Sequence, residues 1–314
     1  MDHVFARLRY DASSLPLPGD REKEKDELKI DYPTNMDGYR EIEELGEGCF
    51  AKVMLAQVLG CRHRVALKMI DLTKIEDKTA MQCAEREFEL ARKLLKHSNI
   101  VRTFATFKDP LEKTLVMVME YMPNGDLERY IHTTFLSKNK LTPEARIWLY
   151  FEQISAAIEF MHSKRIIHRD LKPANVMLAN SWRVKVGDFG LSRMRSAATV
   201  EVKTVCGTPY YMSPERILQK GYTYASDVWS LGCILYELAT AVSPFFGERH
   251  NSYSLSNKVE LADYPPIPED CYSPFLHELV DLCLTADFMA RPPASVVHEY
   301  SRIMVHMFAK YTRF

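Results

Sequence analysis

The sequence predicts an α+β chain of two lobes, a small β-rich one and a larger, mostly helical one. Three observations carry that expectation. From Tyr39 to about Lys140 the apolar residues fall mostly in short β-like runs, interrupted by one long helical pattern from about Lys78 to Lys96. From Leu141 onward helical periodicity dominates. With 314 residues, 46% hydrophobic and 26% charged, the chain is long enough for two ordinary cores and polar enough for water.

Residues 1–37 stand apart. Pro16, Pro18, Gly19, Pro33 and the mixed charge run Arg21–Lys29 offer too little apolar surface to offset ordering. A disordered extension is expected there, or a short docking segment that folds on a partner. The first lobe spans 38–122. REIEEL, KVMLAQV, HRVALKMI, VRTFATF and TLVMVMEY, each bounded by Gly, Asp/Pro or charged turns, read as its strands. The second lobe spans 123–309, with a tail at 310–314. Thr142-Pro143 reads as a hydroxyl cap followed by proline at the first helical position. Ile147, Tyr150, Phe151, Ile154, Ile158 and Met161 then form the stripe of a buried helix. Further helices are expected at Ser226–Thr240, Phe275–Thr285 and Ala294–Phe308.

Composition excludes several classes of function. A formal net charge of -1 gives no basic field for nucleic acid or an anionic membrane. The opening MDHVFARLRYD lacks the apolar core of a signal peptide. Leu231–Val242, broken by Glu237, is too short to span a bilayer. Seven scattered cysteines without a C-x-x-C pair favour reduced thiols over disulfides or zinc. A cytoplasmic or nuclear setting follows as an expectation.

The stretch LGEGCFAKV, with Gly46, Gly48 and Ala51, fits two phosphate-holding devices. One is the dinucleotide turn, where a strand, the glycines and a helix follow in order and Asp71 would be the ribose acid. The other is a hairpin over phosphates, with Lys68 of VALK on the next strand. Locally the two are balanced, since FAKVMLAQVL reads as helix or strand. Residues far downstream decide. IHRDLKPANVML supplies His168, Arg169, Asp170, Lys172 and Asn175; Asp188 follows in GDFG, and Ser213-Pro214-Glu215 in YYMSPE. The ordered set matches the catalytic loop, metal loop and activation segment of protein kinases.

The residue types suit phosphoryl transfer, where catalysis is mainly positioning and charge stabilisation. Asp170 would orient the substrate hydroxyl and accept its proton, as an ionised carboxylate accepts hydrogen bonds only. Lys172 can reach the transferring phosphate. Asn175 and Asp188 supply hard oxygen ligands for Mg²⁺. Lys68 would pair with the α/β phosphates of ATP under the turn Leu45, Gly46, Glu47, Gly48, Cys49, Phe50, Ala51, Lys52 and Val53. An acid of the 78–96 helix would hold Lys68. Glu87 has the best offset, with Glu85 and Glu89 as alternates. Glu215 and Arg291 are expected to form a buried pair bracing the helical lobe.

Over Tyr39 to about Phe308 the chain resembles a eukaryotic protein kinase, and DLKPAN with Lys172 resembles the serine/threonine class. The resemblance implies that Met119 lies behind the adenine, that Glu120 and Met122 present backbone groups to its edge, and that Asp126 meets the ribose. Val53, Ala66 and Met177 would sandwich the ring. GTPYYMSPERI, SDVWSLGCILYELA and SPFFGERHNSYSLSNKVELADYPPIP are similar to the NIMA-related kinases, the short, kinase-domain-only members above all. That family implies ATP and Mg²⁺ as cofactors, protein substrates, and work in the cell cycle, at microtubules or at the spindle; an activating kinase of the same family and a monomer are expected beside it. A phosphate on Thr204, or on Thr199, would pair with Arg169 and order the activation segment. Thr208 would hydrogen-bond toward Asp170 and Lys172. Two departures stand out: Phe189 occupies a position where short members often carry leucine, and RTFATF lacks their paired tyrosines.

Overall fold

The five apolar runs of the first part do form strands. The computed structural model describes residues 30–48, 50–75, 81–82, 85, 88–89, 96–138, 141–180, 182–187, 210–247 and 252–311. Strands β1 (Tyr39–Glu47), β2 (Ala51–Val58), β3 (Arg64–Asp71), β4 (Thr103–Asp109) and β5 (Thr114–Glu120) build one antiparallel sheet in the order β1-β2-β3-β5-β4. Central β3 is buried on both faces, as its nearly continuous apolar run requires. One face, with Met54, Ala56, Val65, Leu67, Val116 and Val118, packs with Tyr39 and Phe107 into a core. The opposite face carries Val53, Ala66, Lys68 and Met119. The register pairs Val53 with Lys68 and Ala66 with Met119, and directly paired residues share a face.

The glycine turn is a hairpin. Gly48 N donates to Ala51 O at 2.7 Å, and Ala51–Val58 is a strand rather than the helix that a dinucleotide turn demands. Asp71 ends β3 and turns the chain, accepting from Thr73 N at 2.9 Å and Thr73 Oγ1 at 2.6 Å. It is a turn residue, not a ribose acid.

The expected disorder of residues 1–37 is corrected for its last part. Ile30, Tyr32 and Met36 pack against the Val65–Val118 core. Tyr32 stacks on Phe104 with ring centroids 4.3 Å apart, and Tyr39 Oη donates to Pro33 O at 2.6 Å. Three apolar side chains at the end of a charged run find a ready sheet face to cover.

A second compact unit holds Asn124–Val186 and resumes at 210. Its elements are α1 (Leu127–Lys138), α2 (Glu144–Ser163), the hairpin β6 (Val176–Leu178) and β7 (Val184–Val186), α3 (Pro214–Ile217), α4 (Tyr224–Thr240), α5 (Ser252–Leu261), α6 (Pro274–Cys283) and α7 (Ala294–Tyr311). The unit is built around α4, buried without a break from Ser226 to Ala239. Its sequence is apolar nearly all round, the mark of a core helix. Gly232 lets α6 approach closely, since a Cβ there would lie 2.7 Å from the Cβ of Cys283. The six α2 stripe residues are all buried.

The start of α2 differs from expectation. Pro143 is the cap and Glu144 the first helical residue, while Thr142 makes no cap bond. The carboxylate of Glu144 instead accepts from Trp148 Nε1 at 2.9 Å and from Ser273 N at 2.7 Å, tying α2 to the start of α6. A long-range bond thus replaces the local one. Helices α1, α3 and α5 escaped the sequence reading: α3 has 4 residues, and α1 and α5 are rich in polar residues.

Two charged contacts brace the unit. Arg291 forms the expected bidentate pair with Glu215, at 3.0 and 2.9 Å, and also donates to Thr285 O, Ala286 O and Ala225 O. Burial alone would raise the Glu215 carboxyl. Hydrogen bonds from Arg291 and Ser226 outweigh it and hold the group below the usual range. On the outside, His298 of α7 lies between two carboxylates of α2, with Nδ1 2.5 Å from Glu159 Oε2 and Nε2 3.4 Å from Glu152 Oε1. The bond to Glu152 is the main cause that raises its pKa, against partial burial. A raised folded value favours the folded state fully below the ordinary histidine range of about 6.5, and that stability is lost as pH rises through the raised value. The difference in melting temperature between wild type and His298→Gln should therefore be largest near pH 5.5 and shrink above neutrality. A difference that grows with pH would contradict the contact.

Candidate functional site

The segment between α2 and β6 carries His168, Arg169, Asp170, Lys172 and Asn175 at the edge of the helical unit. Its shape is set from below by α4. Asp227, wholly buried, accepts from His168 N at 2.8 Å and Arg169 N at 3.0 Å, and its Oδ2 lies 2.8 Å from Nε2 of His162 on α2. These bonds hold Arg169 at φ 75°, the left-handed region that costs a residue with a Cβ about 1–2 kcal/mol. The Arg169 carbonyl accepts from Tyr222 Oη at 2.6 Å and Arg216 Nη1 at 3.4 Å.

The chain beyond that bend turns Asp170 toward solvent. Asn175 Nδ2 donates to Asp170 O at 2.7 Å and to Oδ2 at 2.9 Å, and Lys172 Nζ lies 3.0 Å from the same Oδ2. Among the described residues no hydrogen bond engages Asp170 Oδ1, which leaves it for an incoming donor. Asn175 spends its amide hydrogens on Asp170, and its Oδ1 is a hard oxygen of the kind that cations take as a ligand. The Asp170 and Lys172 side chains are about a quarter and a third exposed, at 24% and 32%. The Asp170 carboxylate and the Lys172 ammonium face water here on a braced backbone, with the buried Asn175 amide beside them. Such a group can orient a hydroxyl, take up its proton and stabilise negative charge.

Met177 pairs with Asp126 through an isolated β-bridge, and Leu178 N donates to Gly125 O at 2.9 Å. Asp126 Oδ1 accepts from Arg129 N at 2.8 Å, so this acid also serves the first turn of α1.

In the sheet unit, Leu45, Gly46, Glu47, Gly48, Ala51, Lys52 and Val53 lie in the β1–β2 hairpin, with Phe50 packed on the core of Ile70, Phe88, Leu115 and Met117. Lys68 is buried on the same sheet face as Val53, Ala66 and Met119. Glu120 N is spent on Arg102 O at 2.8 Å, and Glu120 Oε2 accepts from Arg102 N at 3.3 Å. Of the acids considered for Lys68, Glu85 lies 3.9 Å from Lys108 and Glu89 is exposed, while Glu87 lies outside the described residues. Cys49, Asp188, Thr199, Thr204 and Thr208 lie outside them too. The sequence reading missed Asp227, His162, Tyr222 and Arg216 as supports of the loop. Only the quoted SDVWSLG hinted at the first.

A family model described as "Protein kinase domain" matches residues 39–302. Among curated proteins the chain is similar to "Probable serine/threonine-protein kinase nek2" of Dictyostelium discoideum, 34% identical over 85% of this chain and 63% of that protein. It is also similar to "Serine/threonine-protein kinase Nek5" of Homo sapiens, 36% identical over 82% of this chain and 35% of that protein. "Serine/threonine-protein kinase Nek3" of Mus musculus is 36% identical over 83% of this chain and 49% of that protein. The chain thus spans less than two thirds of the length of these relatives.

If Asp227 fixes the loop, Asp227→Asn should weaken its grip by at least about 1.4 kcal/mol, tenfold in opening. Amide hydrogen exchange at His168 and Arg169 would quicken accordingly. Unchanged protection at both amides would contradict the assignment.

Proposed function

The chain belongs to the protein kinase family, and from that premise we propose that it transfers the γ-phosphoryl group of ATP to serine or threonine hydroxyls of protein substrates. The observation that carries the proposal is the Asp170–Lys172–Asn175 cluster on its braced loop. The family implies ATP and a divalent metal. Lys172 in DLKPAN and the serine/threonine names of the relatives support the acceptor class.

The residues divide the work. Asp170 Oδ1 accepts the hydrogen bond of the substrate hydroxyl, which aims its oxygen at the phosphorus and gives the proton a destination. Lys172 sits beside that carboxylate and offsets negative charge on the transferring group. Asn175 Oδ1 and Asp188 would hold Mg²⁺. The donor set of an amide oxygen and a carboxylate suits a hard cation, which supplies charge neutralisation to the phosphates when bound. On the sheet face, Lys68 would pair with phosphates, while Val53, Ala66 and Met119 offer apolar surface to the adenine.

Work in the cell cycle, at microtubules or at the spindle, action as a monomer, activation by a related kinase and a cytoplasmic or nuclear setting extend the same reading. It rests on the resemblance to the NIMA-related kinases, with which the Nek names of the relatives agree. Among the described residues no helix is long and apolar enough to cross a membrane. A scaffold that binds ATP without transfer is disfavoured, because Lys68, Asp170 and Asp188 are all retained.

Labelled ATP with Mg²⁺ and a casein-type protein tests the proposal. Wild type should label serine or threonine, and Asp170→Asn should lower the rate by about 10²–10⁴ while still binding nucleotide. Equal rates would remove Asp170 from the chemistry.

A further inference from the structure

The peptide unit joining Arg169 to Asp170 is held at both ends. Its N–H, that of Asp170, donates to His168 Nδ1 at 3.3 Å. Its C=O, that of Arg169, accepts from Tyr222 Oη at 2.6 Å and, more weakly, from Arg216 Nη1 at 3.4 Å. The preceding peptide is held by Asp227 through Arg169 N. A residue in the left-handed region has no intrinsic preference for staying there, so each flanking peptide plane needs an outside anchor. Asp227 anchors the first plane. The second, which sets the direction in which Asp170 leaves the chain, hangs mainly on the Tyr222 phenol.

Tyr222 suits that task. It lies in the 218–223 connection between α3 and α4, a different element from the one that supplies Asp227. The Arg216 guanidinium lies 5.1 Å from the centre of its ring, so one side chain of α3 both backs the ring and reaches the same carbonyl. Gly221, at φ 95°, provides the left-handed step just before Tyr222. Burial and the nearby Asp227 carboxylate push the phenol pKa well above its ordinary value, so the hydroxyl stays a donor across the working pH range.

We propose that Tyr222 is a positioning residue for phosphoryl transfer: its hydroxyl orients the Arg169–Asp170 peptide and thereby aims the Asp170 carboxylate. Tyr222 touches neither substrate nor nucleotide in this assignment; it acts through the backbone. The inference rests on the proposed function and adds a second anchor to the catalytic loop.

Tyr222→Phe removes the hydroxyl and keeps the ring against Arg216. Small misplacements at a reacting group cost about tenfold to a hundredfold in rate. The variant should therefore lower kcat by that amount, with KM for ATP and for protein substrate within about twofold of wild type and little change in melting temperature. Tyr264→Phe, which loses a hydroxyl bond to exposed Asp281 instead, serves as the control and should keep the wild-type kcat. A merely structural role for Tyr222 would show as a lower melting temperature or a shared rise in KM, with kcat preserved in the folded fraction. Either that result or a kcat equal to wild type overturns the inference while leaving the proposed function standing. No transfer by wild type would sink the proposed function, and this inference with it.

Discussion

One buried carboxylate organises the helical unit's chemistry. Asp227 is wholly enclosed, and burying a charge is costly unless donors surround it. Its donors are two backbone amides of the loop, joined by a histidine ring on α2. The need to satisfy this group and the bend at Arg169 are therefore the same requirement. A second acid on α4 shows the contrast. Glu237 is equally enclosed but accepts one hydroxyl, from Tyr211 at 2.6 Å, and burial pushes its pKa up to about 7. Two carboxylates ten residues apart on one helix meet different surroundings, and only the one facing the loop is given amide donors.

The rest of the unit keeps that helix still. Its close contact with α6 at Gly232, the Glu215–Arg291 pair beside its first turn and the α2 stripe all bear on α4 or its neighbours. A helix packed on every side has few alternative positions, because interiors are as dense as organic crystals. Precision at Asp170 is inherited from packing well away from it.

The five strands were legible because each run is short, rich in apolar residues and ends at a turn signal, and the order of HRD, DFG and SPE pointed to phosphoryl transfer before any geometry. The glycine turn was not legible locally, since a run such as AKVMLAQV satisfies helix and strand patterns equally; the motifs far downstream chose the hairpin, and the pairing of β2 with β1 and β3 bears it out. The start of α2 was misread for a similar reason. Thr142-Pro143 is a good local signal, yet Glu144 finds a better partner in Ser273, 129 residues away. Tyr222 and Asp227 went unnoticed because they act on backbone groups. No spacing rule in a single sequence reports a bond from a distant side chain to a peptide plane. Residues 30–36 were assigned by composition, which cannot show that Tyr32 has Phe104 to stack on.

Through Asp227, α4 sets the geometry of the loop on which the proposed phosphoryl transfer depends. Rapid-quench measurement of a single turnover in Asp227→Asn, at saturating ATP and protein substrate, addresses it most directly. The account predicts a slower phosphoryl-transfer step with nucleotide affinity close to wild type. A transfer step as fast as wild type in that variant would contradict it.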